Sequence, residues 1–216
     1  MQKNYFMFIR ISDEEFIDSL QKNGHIYCNT IKYFRFLEDN CKRGDKNEGK
    51  AFMKQVKGLE ISLKGKVLGK AEKAQLYFEH ENNTGNIFCL YGVETPLIDK
   101  RKKFRQKVLV EKEPRSLGET ALLIFQIEEF IKRISNSLDS LGKEYKISPV
   151  YYYDPNTYEG GLNHFYKSNQ YKYQNEVRLW IQNTEEKPFE FYIGDISDIS
   201  HKIPVSDLDK IEVETL

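Results

Sequence analysis

Cysteine is scarce in this chain of 216 residues: Cys28, Cys41 and Cys89 are the only three. Their number is odd, no Cys-x-x-Cys pair occurs, and no histidine sits nearby at ligand spacing. A disulfide framework and a sequence-local zinc site are therefore not expected, and a reducing, cytoplasmic setting fits the chain. Long apolar runs are missing too, none approaching the roughly 18 residues that a membrane helix needs. The opening "MQKNYFMFIRISDEEF" holds one short apolar run closed at once by acids, which is neither a signal peptide nor a span. Net charge is also absent, with 33 Lys plus Arg against 33 Asp plus Glu. No global field draws the protein toward nucleic acid or a membrane, although local patches remain open. "EGGLNH" lacks the lysine and the strand–helix context of a phosphate loop. His25, His80, His164 and His201 share no spacing, and local sequence offers none of them a triad partner.

What the chain has instead is aromatic bulk. Fourteen Tyr and fourteen Phe accompany a hydrophobic fraction of only 39%. Large rings then supply much of the core, with tyrosine hydroxyls at its rim. Aromatic and β-branched "YFMFIRI" (5–11) predicts a buried strand. "SDEEFIDSLQKNG" predicts a helix with a Ser12–Glu15 capping box, an apolar stripe of Phe16, Ile17 and Leu20, and a Gly24 stop. "HIYCNT" reads as the next strand. The charge-rich 32–52 region reads as a loop with a short helical lead-in. Strands are expected over 59–69 and 74–93, with "ENNTG" as a turn, while 99–108 is a basic run of helix or loop. An apolar strand at 119–127 precedes the strongest helical pattern, 128–142, whose stripe is Phe130, Ile131, Ile134, Leu138 and Leu141. Further strands are expected in "KISPVYYYDP", from Gln174 to Ile181, in "FEFYIGDIS" and in "KIEVETL". No repeat or linker divides the chain. The expectation is one α+β domain over 1–216, mainly sheet with two or three helices.

The stretch "YKYQNEVRLWI" (171–181) raises the functional question. If it is one strand, Gln174, Glu176, Arg178 and Trp180 share a face, and Val177, Leu179 and Ile181 take the other. An ordinary solvated face with a cross-strand ion pair satisfies that pattern. So does a site in which a fixed carboxylate steadies positive charge at a ribosyl carbon and a neighbouring amide orients a second substrate. Such a site also wants an arginine for a pyrophosphate and a ring for nicotinamide. Arg10, inside an apolar strand where it needs a partner, and Tyr91, in "IFCLYG", are candidates; the plainer readings are an arginine at the strand's solvent end and a packing tyrosine. The cluster Tyr151, Tyr152, Tyr153, Tyr158 and Tyr166 offers further ring faces. Asp45 and Glu48, flanked by Gly44 and Gly49 with Glu38 and Asp39 nearby, would suit a hard cation and a metal-dependent nuclease; as composition they are a solvated loop. "HFYKSNQYKYQNEVR" together with "DKRKKFRQK" would suit a single-stranded nucleic-acid groove.

A first strand carrying Arg10, a helix ending in glycine, a strand, and a late Gln174-x-Glu176 opening a strand resemble the ADP-ribosyltransferase superfamily. The resemblance implies two sheets framing a cleft, with NAD as substrate. It implies Glu176 as the catalytic carboxylate, Gln174 orienting the acceptor, Arg10 on ribose or phosphate and Tyr91 beside nicotinamide. "IFCLYGVET" departs from that family's Ser-Thr-Ser, so that Tyr91 or Thr95 would stand in. The chain also resembles a family of uncharacterised bacterial and phage proteins, through "DKNEG" (Asp45, Glu48), Lys167 and "EVR" (Glu176, Arg178). This second likeness implies a shared site without naming a reaction. Together they imply an NAD-dependent transferase or glycohydrolase acting as a toxin, a phage-defence effector or a phage protein, with a protein or nucleic-acid acceptor. The alternatives are a metal-dependent nucleic-acid-processing protein using Asp45 and Glu48, and a non-catalytic interaction module.

Overall fold

A computed structural model of the protein describes residues 4–37, 43–79, 84–94, 105–108 and 110–214. The expected turn at 81–85, most of the basic run 99–108, Glu38, Asp39, Cys41, His80 and Thr95 lie wholly or mainly outside them. In chain order the elements begin β1 (Tyr5–Ser12), α1 (Glu14–Asn23), β2 (His25–Thr30), α2 (Ile31–Phe36), β3 (Phe52–Leu63), β4 (Lys66–Phe78), β5 (Asn86–Glu94), β6 (Arg105–Lys107) and β7 (Thr120–Ile124). They continue with α3 (Ile127–Ser140), β8 (Tyr145–Pro149), β9 (Tyr151–Tyr153), β10 (Gly160–Gly161), β11 (Tyr166–Ser168), β12 (Glu176–Ile181), β13 (Phe189–Tyr192), β14 (Ser200–Pro204) and β15 (Glu212–Glu214). Single turns of 3-10 helix cover 113–117, 169–174 and 205–210. The architecture is α+β with mostly antiparallel pairing, β9 with β11 being a parallel exception.

The main sheet runs β13-β2-β5-β1-β7-β14, with β12 and then β8 branching from β5. Strand β5 pairs with β12 over 86–91 on one side. On the other it meets β2 at 86–87 and β1 at 91–94. The sheet therefore forks there, and residues 88–90 have no strand neighbour on that side.

Its two faces are filled differently. On one, α1 and α3 lay Ile17, Leu20, Phe130, Ile134 and Leu138 against Phe8, Leu122, Ile124, Val177, Leu179 and Ile181. The expected stripes thus hold at their centres, while Phe16 and Leu141 stay exposed at the helix margins. On the other face, Met7, Ile9, Ile11, Val93, Ala121 and Leu123 build a second core with Val108, Val110 and Leu208.

Two local expectations are corrected. Ser12 does not cap α1, because pairing with Thr120 keeps it in β1 and leaves Asp13 as the cap residue. Residues 59–69 are not one strand but the end of a hairpin, since Lys64 and Gly65 both take positive φ (49° and 80°). Paired positive φ angles make the tight turn that matches the twist of two antiparallel strands. Gly24 does close α1, at φ 63°. A Cβ there would meet the Gly194 carbonyl oxygen at 2.1 Å, so two backbones approach where only glycine fits.

Candidate functional site

Strand β12 decides the question posed by its sequence. Its odd residues enter the main core, yet its even face is not solvated: Glu176 is 4% exposed and Arg178 fully buried. Two segments cover that face, the turn at 43–49 and the chain from β9 to β11. The solvated-face reading is overturned.

The contacts form a closed relay. Arg178 Nε donates to Glu176 Oε1 at 2.7 Å. Its two terminal nitrogens clasp Glu48, Nη1 to Oε1 at 2.6 Å and Nη2 to Oε2 at 3.1 Å. Nη1 also donates to the His164 carbonyl. Lys167 Nζ reaches Glu176 Oε2 at 3.1 Å and Gln174 Oε1 at 2.8 Å, and lies over the Tyr171 ring. The Glu176 amide donates to the Tyr152 hydroxyl at 2.9 Å, and the Cys89 thiol bonds the Glu176 carboxylate. Asp45, 2% exposed, accepts the Asn47 amide at 2.9 Å. Parallel pairing of β11 with β9 sets Lys167 opposite Tyr152, which brings both to the start of β12.

Burial and pairing pull the ionisations in opposite directions. Burial alone would raise the Glu176 carboxyl, but Arg178 and Lys167 overcome it and hold the group well below the ordinary carboxylate range. Burial opposes the charge on Arg178 and Lys167, and Glu176 with Glu48 restores it in both. Asp45 is different: burial and then repulsion from Glu48 push it up to about 6. Burial, reinforced by Glu176, lifts the Cys89 thiol to about 12, so it is a hydrogen-bond donor and not a thiolate. His164 is brought down to about 4 by burial and Arg178, and stacks on Trp180 at 4.7 Å. Three carboxylates, Asp45, Glu48 and Glu176, are thus held around Arg178 and Lys167, and the charge of Arg10 also acts on Glu176.

Of the eight residues singled out from sequence, six converge: Asp45, Glu48, Lys167, Gln174, Glu176 and Arg178. Gln174 does so by another route than expected. It lies in a 3-10 turn, Asn175 follows in the left-handed region, and the strand begins only at Glu176. The shared strand face predicted for Gln174 is thus replaced by a turn, and Lys167 holds the two side chains together.

Arg10 is not brought in. Its Nη1 donates to the Cys89 carbonyl at 2.7 Å and its guanidinium lies 4.7 Å over Phe88. The fork in the sheet leaves that carbonyl without a strand partner, and Arg10 fills the gap. Tyr91 is the register neighbour of Glu176, but its ring joins the second core and its hydroxyl meets the Glu111 backbone. Sequence reasoning offers Tyr152 only as a ring face and misses its hydroxyl contact, Cys89 and the His164 carbonyl. Nothing local marks them, because their roles arise from strand pairing.

Histidine gains one unexpected setting. Ser19 Oγ lies 3.1 Å from His25 Nδ1, and His25 Nε2 lies 2.9 Å from Glu190. The residue types are those of an acyl-transfer triad. However, Ser19 is inside α1, where neighbouring amides are spent on the helix, and the Glu190 side chain is 58% exposed. The arrangement reads as a helix-to-strand tether.

Among the described residues, no group of three or more His, Cys, Asp or Glu is arranged to hold a metal ion. Both oxygens of Glu48 are taken by Arg178, which leaves the Asp45–Glu48 pair a poor cation site. No helix among the described residues is long and apolar enough to cross a membrane. No family model, curated protein or solved structure matches the chain, so its site is read from its own geometry.

Proposed function

We propose that the Glu176 cluster is the working site and that its chemistry is cleavage at the nicotinamide–ribose bond of NAD, with transfer to a macromolecule or to water. The observation behind this reading is a carboxylate at the first residue of a strand, buried yet held ionised. Such a group suits the steadying of positive charge in a place of low dielectric constant. When the C1′–N bond breaks, its electron pair leaves with nicotinamide, and the ribose carries the positive charge that Glu176 would face. C1′ then bonds an acceptor oxygen or nitrogen, whose proton passes to solvent. Gln174 shares Lys167 with Glu176 and so stands where an acceptor would be oriented. Arg10 and Tyr91 take no part, and NAD entry requires the covering segments to shift.

A second reading has its own observation. Every oxygen of Glu48 and Glu176 is engaged by Arg178 or Lys167, as in a staple that fixes the 43–49 turn and the 152–168 segment onto the sheet of a non-catalytic module. The metal-dependent nucleic-acid reading draws no support from these contacts.

Nicotinamide release from NAD by the purified protein, with thermal stabilisation by NAD, separates the two. A ligand that binds only the native state raises its melting temperature by mass action. The NAD reading expects saturable stabilisation and release, with turnover reduced on the order of 10²–10³-fold in Glu176→Gln, comparable to losing one preorganised transition-state contact. Glu176→Asp, which keeps the charge and shortens the reach, guards against a variant that merely unfolds. It should remain folded by circular dichroism and still lose most turnover. Neither stabilisation nor release at millimolar NAD leaves the staple.

A further inference from the structure

Strands β3 and β4 make an arm. Beyond Phe52 and Met53, which pair with β10, no other strand among the described residues accompanies the hairpin. Gln55 and Gln75 anchor its base to the Pro155 carbonyl. Past that point neither edge pairs with another strand of the described residues. A lone two-stranded ribbon is marginal in water, yet this one continues to Lys64–Gly65 with Ile61, Leu63, Val67 and Leu68 all exposed.

Its charge is lopsided. Six lysines and two glutamates lie between Phe52 and Phe78, leaving four positive charges over, and the rest of a chain balanced at 33 and 33 is acidic by four. Register sorts these charges by face. One face carries Lys54, Glu60, Lys70 and Glu72, with Glu60 and Lys70 paired at 3.0 Å. The other carries Lys57, Lys66 and Lys73 with no acid, beside Leu59, Ile61 and Leu63. Lys57 and Lys73 are direct cross-strand neighbours, an arrangement that destabilises a hairpin unless an anion lies across it.

We propose that this second face, from Lys57 round the tip to Lys73, binds the phosphate backbone of duplex nucleic acid. A two-stranded ribbon fits the major groove. Lysines as point charges suit phosphates, and the leucines and isoleucine suit sugars and base edges. The face holds no ring beyond its anchored base, so it offers single strands no stacking platform. An anionic membrane fits less well: the open edges would carry unpaired amides and carbonyls into hydrocarbon, and Lys64 and Lys66 occupy the very tip. The proposal stands whether or not the protein acts on NAD.

The test is fluorescence anisotropy of a mixed-sequence 20-base-pair DNA duplex, titrated with the full chain at several salt concentrations. The wild type should bind, with an affinity that falls steeply with salt. The triple variant Lys57→Gln, Lys66→Gln, Lys73→Gln should bind on the order of tenfold or more weakly at low salt, its salt slope smaller by about one unit per lysine. The opposite-face variant Lys54→Gln, Lys70→Gln should match the wild type. Absence of duplex binding overturns the proposal, as does equal weakening by both variants. Binding to vesicles containing phosphatidylserine without duplex binding assigns the face to lipid and overturns it equally. The substituted side chains are exposed, so circular dichroism should show all variants folded.

Discussion

The Glu176 cluster and the hairpin arm both concentrate charge, and they treat it in opposite ways. In the cluster, Arg178 and Lys167 are sealed from water and each holds a carboxylate partner. Along the arm, Lys57, Lys66 and Lys73 stand in water with no acid on their face. Buried charge survives only with partners, because desolvation otherwise exceeds what the fold can supply. Exposed charge survives anywhere, so an unmatched row of it on an otherwise unsupported ribbon calls for an external anion. The balanced total of 33 and 33 conceals both. It averages an arm in positive excess with a remainder in negative excess, and neither follows from the sum.

The contrast breaks most sharply at Arg178. Arg178→Met leaves Glu48 and Glu176 buried without their shared cation, and it should destabilise the protein by about 3–5 kcal/mol in urea unfolding, as for one-sided removal from other buried pairs. A loss below about 1 kcal/mol, the scale of a surface pair, would mean that the cluster is open to water in solution. Glu176→Gln strips both cations of a partner and should be destabilising as well. That is why the charge-preserving Glu176→Asp belongs in any activity comparison.

Asp45 sharpens the contrast through pH. Its folded value, pushed up to about 6, lies above its ordinary 3.8, so between these values the folded state holds a proton that the unfolded state releases. The Asp45 contribution to stability therefore falls as pH rises from about 4 to about 6, by up to about 3 kcal/mol, and is flat above. Glu176 acts the other way in a lower window, its depressed value contributing stability that is lost as pH drops below the ordinary 4.5. His164, brought down to about 4 from its ordinary 6.5, also contributes stability that is lost as pH falls between these values, so it opposes Asp45 in the same window. The Asp45 contribution is isolated by comparison: Asp45→Asn should gain stability relative to the wild type between pH 4.5 and 7 in urea midpoints, and the same pH dependence in both would exclude Asp45 as a source. If ionised Asp45 serves catalysis, nicotinamide release should rise through pH 6 in the wild type and not in Asp45→Asn.

Much of this was legible in sequence, and what was not has definite causes. Ile17, Leu20, Phe130, Ile134 and Leu138 announce their core face because a helix repeats it within a few residues. Glu176 and Arg178 announce a shared face by alternation, but the pattern cannot say whether water or protein covers it. The cover comes from Glu48, 130 residues earlier than its Arg178 partner. Arg10 misleads for a related reason: an arginine in an apolar strand needs a partner, and the partner proved to be a carbonyl exposed where the sheet forks. The hairpin at 59–69 is hard to see in the sequence because its Lys64–Gly65 turn lacks the Asn-Gly signature that usually marks two positive φ angles.

That turn and the lysine row behind it give the smallest and most discriminating effect. Lys73→Glu places an acid directly opposite Lys57, converting a repulsive cross-strand pair into an attractive one. The gain should be about 0.2–1 kcal/mol at low salt, fading as salt screens an exposed pair. The same substitution reverses one of the charges that face the duplex, so affinity should fall while stability rises. A structural role predicts no such divergence, since relieving repulsion in a merely structural hairpin improves it without penalty. Opposite movement of melting temperature and duplex affinity in this one variant is what separates a lysine kept for a partner from one tolerated by chance.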